Sequence, residues 1–197
     1  VSGPGDEESG RRLLLHMSVS MDGFVANREK QIDWMAPRGE GTTDHGDQRH
    51  RINLELITQI GTIVMGSGAY GEFFRGWGDS SSPMADYMNG LPKLVFSGSL
   101  DSVEWNNATL AERPLAEEIT ALKRQPGKDM VVFGGGRIAR SLLRERLFDE
   151  LRLTVHPVIL GDGLSLMQGL PEPQRFELIS STVYTDGTIG NVLRPAA

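Results

Sequence analysis

A chain of 197 residues, 39% of them hydrophobic and 23% charged, is long enough for one well-buried core and short for two. Its formal charge of −6 disfavours nucleic acid, which is held largely by clustered Lys and Arg, and no apolar run reaches the ~20 residues that span a bilayer. The absence of cysteine removes disulfides, thiolate nucleophiles and Cys-ligated metal centres together, and fits a reducing cytoplasm.

In chain order, Val1 to Gly10 carries Gly, Pro, Ser and acids and reads as a disordered lead or a cloning remnant, with residues 11–197 as one domain. Arg11 to Met21 reads as a first strand, Asp22-Gly23 as a turn and Phe24-Val25-Ala26 as a short extended piece. Asn27 to Gly46 reads as a loop over a site. A helix capped by Asp44 or Asp47 is expected to run to about Gln59, with Ile52, Leu56 and Ile60 at spacing four and Gly61 as its stop. Thr62 to Gly66 is then a buried strand, Ser67-Gly68-Ala69-Tyr70 a helix entry, and Phe73 to Ser82 a Gly/Ser-rich loop. Pro83 and Gly90 bracket a short helix. Lys93 to Ser97 is a third strand, Asn106 to Leu110 an edge strand, and Leu115 to Gln125 a helix with acids early and bases late.

The central stretch is Met130-Val131-Val132-Phe133-Gly134-Gly135-Gly136-Arg137-Ile138, where an apolar β-branched run passes through three glycines into helical spacing. A strand, tight turn and helix N-terminus of this kind can hold a phosphate on free N–H groups, or can merely pack a helix on a sheet. Glu150 to Leu160 reads as a long strand interrupted at Pro157, and Thr185-Asp186-Gly187 joins a C-terminal hairpin. Alternating strands and helices imply a three-layer α/β fold, a mostly parallel sheet with helices on both faces and an antiparallel hairpin at its edge. Gly66, Ser97 and Gly134 would arrive together at strand C-termini, where such sheets bind ligands.

The segments Ser20-Met21-Asp22-Gly23-Phe24-Val25-Ala26, Val64-Met65-Gly66 with Tyr70, Leu91-Pro92-Lys93, Phe133-Gly134-Gly135-Gly136 and Asp149-Glu150-Leu151-Arg152-Leu153 with His156-Pro157 resemble, in order, the dihydrofolate reductase superfamily. The nearer likeness is to the C-terminal reductase domain of bacterial riboflavin-biosynthesis proteins. That resemblance implies a reductase carrying hydride from NADPH to a small heterocycle, a riboflavin-type pyrimidine or a pterin being one option, and a homodimer through the sheet edge or hairpin. It assigns Ser18, Val25 and Ala26 to the nicotinamide, Gly66, Ser67 and Ala69 to the pyrophosphate and adenosine, Ser97 and Gly98 to the adenosine ribose, and Phe133, Gly134, Gly135, Gly136, Arg137 and Ile138 to the pyrophosphate. Met17, Trp34 and Thr154 would face the substrate.

Ser67 and Gly98 stand where the family commonly has Arg, the residue that meets a 2′-phosphate by bidentate bonds. Arg75, Arg137 or Arg140 could replace them, or NADH could be the cofactor. Proton delivery to a ring nitrogen calls for a carboxyl group or water; Asp22 and Asp33 are the candidate catalytic acids, with Glu40 and Asp44 behind them. His45 and His50 are five apart, a poor helical spacing for two ligands, so no metal site is expected. The alternative to a reductase is a small-molecule binding or sequestering protein on the same fold.

Overall fold

The computed structural model describes residues 10–35, 43–80 and 82–196; the expected lead, Glu40, and the side chains of Asp44, His45 and His50 lie outside the described residues. The strands are β1 (Leu13–Ser20), β2 (Phe24–Ala26), β3 (Ile60–Gly66), β4 (Lys93–Phe96), β5 (Ala108–Leu110), β6 (Asp129–Phe133), β7 (Glu150–His156), β8 (Leu164–Ser165), β9 (Phe176–Val183) and β10 (Ile189–Pro195). The helices are α1 (Thr43–Thr58), α2 (Ser67–Trp77), α3 (Pro83–Gly90), α4 (Leu115–Lys123) and α5 (Gly136–Arg144). Eight strands form one sheet in the order β5-β4-β3-β6-β1-β7-β10-β9. All pairs from β5 to β7 are parallel, and β10 and β9 add the antiparallel edge.

The period of two along each strand divides the core between the faces. Leu13, Leu15 and Met17 of β1, with Met130 and Val132 of β6, pack against Ile119 of α4 and Ile138, Ala139 and Leu142 of α5. Leu14, Ile63, Met65 and Val131 point the other way, against Leu56 and Ile57 of α1, Tyr70 of α2 and Met84 and Met88 of α3. Burial on both faces is why β3 and β6 read as continuous apolar runs. The sequence-based fold class therefore matches the observed architecture.

Several local expectations are corrected. α1 begins at Thr43, so Asp44 and Asp47 fall inside the helix instead of at its N-cap position. It ends at Thr58; Ile60 opens β3, and Gly61 sits at a register shift between Ile60 and Thr62 instead of stopping a helix. A Cβ on Gly61 would lie 3.0 Å from Lys128 Cβ and 3.2 Å from the Lys128 carbonyl, so the glycine lets two backbones approach. Residues 73–77 are not a loop: α2 runs to Trp77, because Phe73, Phe74 and Trp77 pack on the helical face and outweigh the low helix propensity of Gly71 and Gly76. β7 stops at His156, and the following residues turn away so that Asp22 can bind the N–H groups of Leu160 and Gly161 at 3.2 and 2.7 Å. β8, too short to show a pattern, pairs antiparallel with β2 as a separate small sheet.

Candidate functional site

Because β4, β3 and β6 are parallel neighbours, their C-termini bring Ser97, Gly66 and Gly134 to one edge of the sheet. They open on a cleft of about 2030 Å³ among the described residues, whereas a single drug-sized ligand fills about 300–1,000 Å³. The cleft has room for two ligands side by side.

One half is built from helix entries. Gly134 and Gly135 have φ of 67° and 74°, and Gly135 is the N-cap of α5 with no side-chain cap. Gly66 is the N-cap of α2, again with no side-chain cap. Neither helix has an acid in its first turn. By contrast, Ser82 Oγ caps α3 by accepting from Ala85 N at 3.1 Å, and α4 carries Glu117 and Glu118 in its first turn. The two helix ends that meet at the cleft thus keep their first N–H groups and their positive dipole ends for an anion. Added Cβ atoms at Gly68 and Gly98 would touch nothing, which leaves space beside both loops. The Ser97 hydroxyl oxygen accepts from Ser99 N and Leu100 N at 3.1 and 2.9 Å and shapes the β4 exit, with its own proton still available to donate.

The glycines also pack. A Cβ on Gly135 would lie 3.1 Å from Ile138 Cγ2 and 3.4 Å from Ala69 Cβ, and one on Gly136 would fall on Val25 Cγ2 and Leu164 Cδ2. The packing reading of the glycine turn is thus shown, and it leaves the N–H groups of the helix entry uncapped. A Gly135→Asp change therefore does not spare stability while testing the anion seat; Gly68 and Gly98 are the positions that do.

The other half is a polar strand face. Ser18 and Thr154 are register partners, as are His16 and Arg152, and Gly190 of β10 sits opposite Thr154. Tyr184, just beyond β9, lies across Gly190: a Cβ there would be 2.9 Å from its Cε2 and 3.1 Å from its hydroxyl. Tyr184 is buried and lines the cleft, and burial raises its phenol above the ordinary value, with Asp186 adding to the rise against Arg49 and Arg152. Arg49 of α1 pairs with Asp186 at 2.8 Å, and Arg152 pairs with Glu150 at 2.6 Å. Gly190→Ala is expected to swing the ring out, at about 1 kcal/mol, and to bring the Tyr184 titration back toward an ordinary phenol. Ultraviolet absorbance of tyrosinate against pH measures it.

Of the residues singled out in the sequence, Met17, Ser18, Val25, Ala26, Gly66, Ser67, Ala69, Ser97, Gly98, Phe133 to Ile138 and Thr154 all line this cleft. Asp22, Asp33 and Trp34 do not. Asp22 closes a turn: Ser20 Oγ donates to it at 2.6 Å, and this bond, with those from Gly161 and Leu160, holds its carboxyl below the usual range. Asp33 accepts from Asn27 Nδ2 at 3.3 Å, and Asn27 itself lines the cleft. Trp34 stands edge-on to His156, itself a lining residue, with ring centres 5.5 Å apart. Arg140 donates to the Ser165 carbonyl through Nε at 2.9 Å and through Nη2, tying α5 to β8, while Arg137 lines the cleft and Arg75 does not. Arg49, Arg113, Arg152 and Tyr184 escaped the sequence reading. The signal for one was present: Glu150, Arg152, Thr154 and His156 alternate on β7, a polar face two strands from β6, which is apolar on both sides.

Comparison with known proteins agrees with this fold. The uncharacterized Bacillus subtilis protein YyaP is 26% identical over 189 residues, covering 91% of this chain and 92% of its own. A putative riboflavin biosynthesis protein from Shewanella sp. PV-4 superposes with a TM-score of 0.74 at 21% identity, over 94% of this chain and 99% of that one. Dihydrofolate reductase from Enterococcus faecalis, solved with NADP(H), superposes with a TM-score of 0.58 at 16% identity, over 94% and 97% of the two chains. The fold is that of dihydrofolate reductase. Residues 11–189 match the RibD C-terminal domain, and the chain belongs to that family.

Proposed function

We propose that this protein is a reductase that passes hydride from a nicotinamide dinucleotide, NADPH ahead of NADH, to a small heterocycle of the riboflavin-type pyrimidine or pterin class. The observation that carries the reading is the meeting of two uncapped helix N-termini at Gly66 and Gly134 to Gly136, beside a second polar compartment on β1, β7 and β10. When bound, the dinucleotide supplies the hydride. The chain does the rest: Phe133 to Ile138 hold the pyrophosphate, Gly66, Ser67, Ala69, Ser97 and Gly98 the adenosine side, and Ser18, Val25 and Ala26 the nicotinamide. Met17 and Thr154 orient the substrate. Asp33, reached through Asn27, relays a proton by way of water, because the Asp22 carboxylate is occupied by the turn.

Titration of the protein with NADPH and with NADH, followed by nicotinamide fluorescence and thermal shift, tests the reading. A saturable response with a raised melting temperature is expected. No response to either dinucleotide overturns it. The non-catalytic reading keeps one observation in its favour, since Asp22 and Asp33 both stand outside the cleft lining; it predicts dinucleotide binding without oxidation of NADPH across a panel of pyrimidine and pterin substrates. The proposal also includes a second copy of the chain on the β9 edge, where Leu178, Ile179 and Val183 are exposed. Sedimentation should then show a dimer that Val183→Lys weakens.

A further inference from the structure

We infer that Arg113, held in place by Glu118, reads the 2′-phosphate that distinguishes NADPH from NADH, in the stead of the arginines that positions 67 and 98 lack; this rests on the dinucleotide reading above. Six cationic side chains line the cleft among the described residues: Arg28, Lys30, Arg49, Arg113, Arg137 and Arg152. Arg49 and Arg152 belong to the substrate half, where Asp186 and Glu150 pair with them. Arg28 is taken by Asp162 at 2.6 Å, Lys30 lies in the same segment, and Arg137 stands on the first turn of α5 at the pyrophosphate seat. Arg113 alone belongs to the adenosine end. β5 runs parallel to β4 with Leu110 opposite Val95, and Ala111 N donates to the Val95 carbonyl at 2.9 Å. Beyond the ends of this strand pair Gly98 and Arg113 both line the cleft, and an added Cβ at Gly98 meets open space.

The guanidinium is half exposed and its orientation is fixed. Its Nε donates to Glu118 Oε2 at 2.7 Å and its Nη2 to Glu118 Oε1 at 3.2 Å, while Glu118 is buried on α4. One edge of the fork is used, and the N–H groups of Nη1 with the second one of Nη2 remain for an oxygen anion. A planar donor pair fixed before binding suits a dianionic phosphate ester and offers nothing to the bare 2′-hydroxyl of NADH that would justify its charge. The partner carboxylate prevents the side chain from collapsing onto the helix when the site is empty of anion.

The test is equilibrium binding, with NADPH and NADH and, to isolate the phosphate, 2′,5′-ADP against 5′-AMP, on the wild type, Arg113→Ala, Arg113→Lys and Glu118→Gln. The wild type should favour the 2′-phosphorylated member of each pair. Arg113→Ala should weaken NADPH and 2′,5′-ADP roughly 10–100-fold and leave NADH and 5′-AMP within about twofold. Arg113→Lys should keep part of the preference, and Glu118→Gln should reduce it while the melting temperature reports any loss of fold. If both dinucleotides bind but Arg113→Ala leaves their ratio unchanged, the inference fails and the reductase reading stands. Absence of binding by either dinucleotide in the wild type overturns both.

Discussion

Gly163→Ala should lower stability by about 3–4 kcal/mol, combining backbone strain with a steric clash that has no soft partner, and should lower the melting temperature by roughly 10 °C. Gly163 has φ of 146°, a conformation essentially reserved for glycine, and an added Cβ would fall on the carbonyl oxygen of Ala26 in β2. Gly161, in the same loop, also has positive φ, at 75°, yet its Cβ would meet nothing. Gly161→Ala should therefore cost only about 1–2 kcal/mol, the price of the left-handed backbone alone. Equal losses from the two substitutions in chemical denaturation would refute the steric account. The damage should also reach the cleft. Residue 163 leads into β8, which pairs with β2 and binds the α5 arginine Arg140 at the Ser165 carbonyl; Val25 of β2 in turn rests against Gly136 at the start of α5. Displacing β2 moves the cleft wall at Val25 and Ala26 and the glycine turn together, so on the proposed reading NADPH affinity should fall in Gly163→Ala and hold in Gly161→Ala.

That chain of contacts shows which parts of the site the sequence could disclose. Gly134 to Gly136 announced themselves because strand, turn and helix are local, and the periods of two and 3.6 meet within nine residues. The strand ends at Gly66 and Ser97 were legible for the same reason, and their convergence followed from parallel topology. What stayed hidden depends on partners distant in sequence. β8 is two residues long and exists through Phe24 and Ala26, more than 130 positions away. Nothing local marks Gly190 among strand glycines; Tyr184 lying across it is what gives the position its role. Nothing local sets Arg113 apart from other charges before a helix, and the pairing of β5 on β4 is what leaves it lining the cleft. Asp22 went the other way: its place beside a turn glycine fitted either a catalyst or a clamp, and the N–H groups of Leu160 and Gly161, far along the chain, decide for the clamp.

Lys93→Met should cost about 3–5 kcal/mol, although methionine fills nearly the same space and no ion pair is lost. Lys93 is 1% exposed, and its ammonium donates to the carbonyls of Asn89, Leu91 and Asn106 at 3.1, 2.7 and 2.9 Å while lying 4.6 Å from the centre of the Trp105 ring. Three donors meet three acceptors, and the fourth side is an aromatic face. The thioether offers no donor, so three carbonyls, at the end of α3, at the entry of β4 and before β5, lose their partner. A pH dependence separates this account from simple packing. Burial pushes the Lys93 ammonium down to about 8 from 10.5, so between those values the unfolded chain binds more protons than the folded one, and wild-type stability rises with pH. Below about pH 8 both states are protonated and the desolvation penalty is carried in full. Lys93→Met lacks this titration, so the stability gap between wild type and variant should widen from pH 8 to 10.5 in denaturant unfolding. A gap that narrows over that window would mean that the carbonyls and Trp105 outweigh burial and hold the proton more tightly than water does.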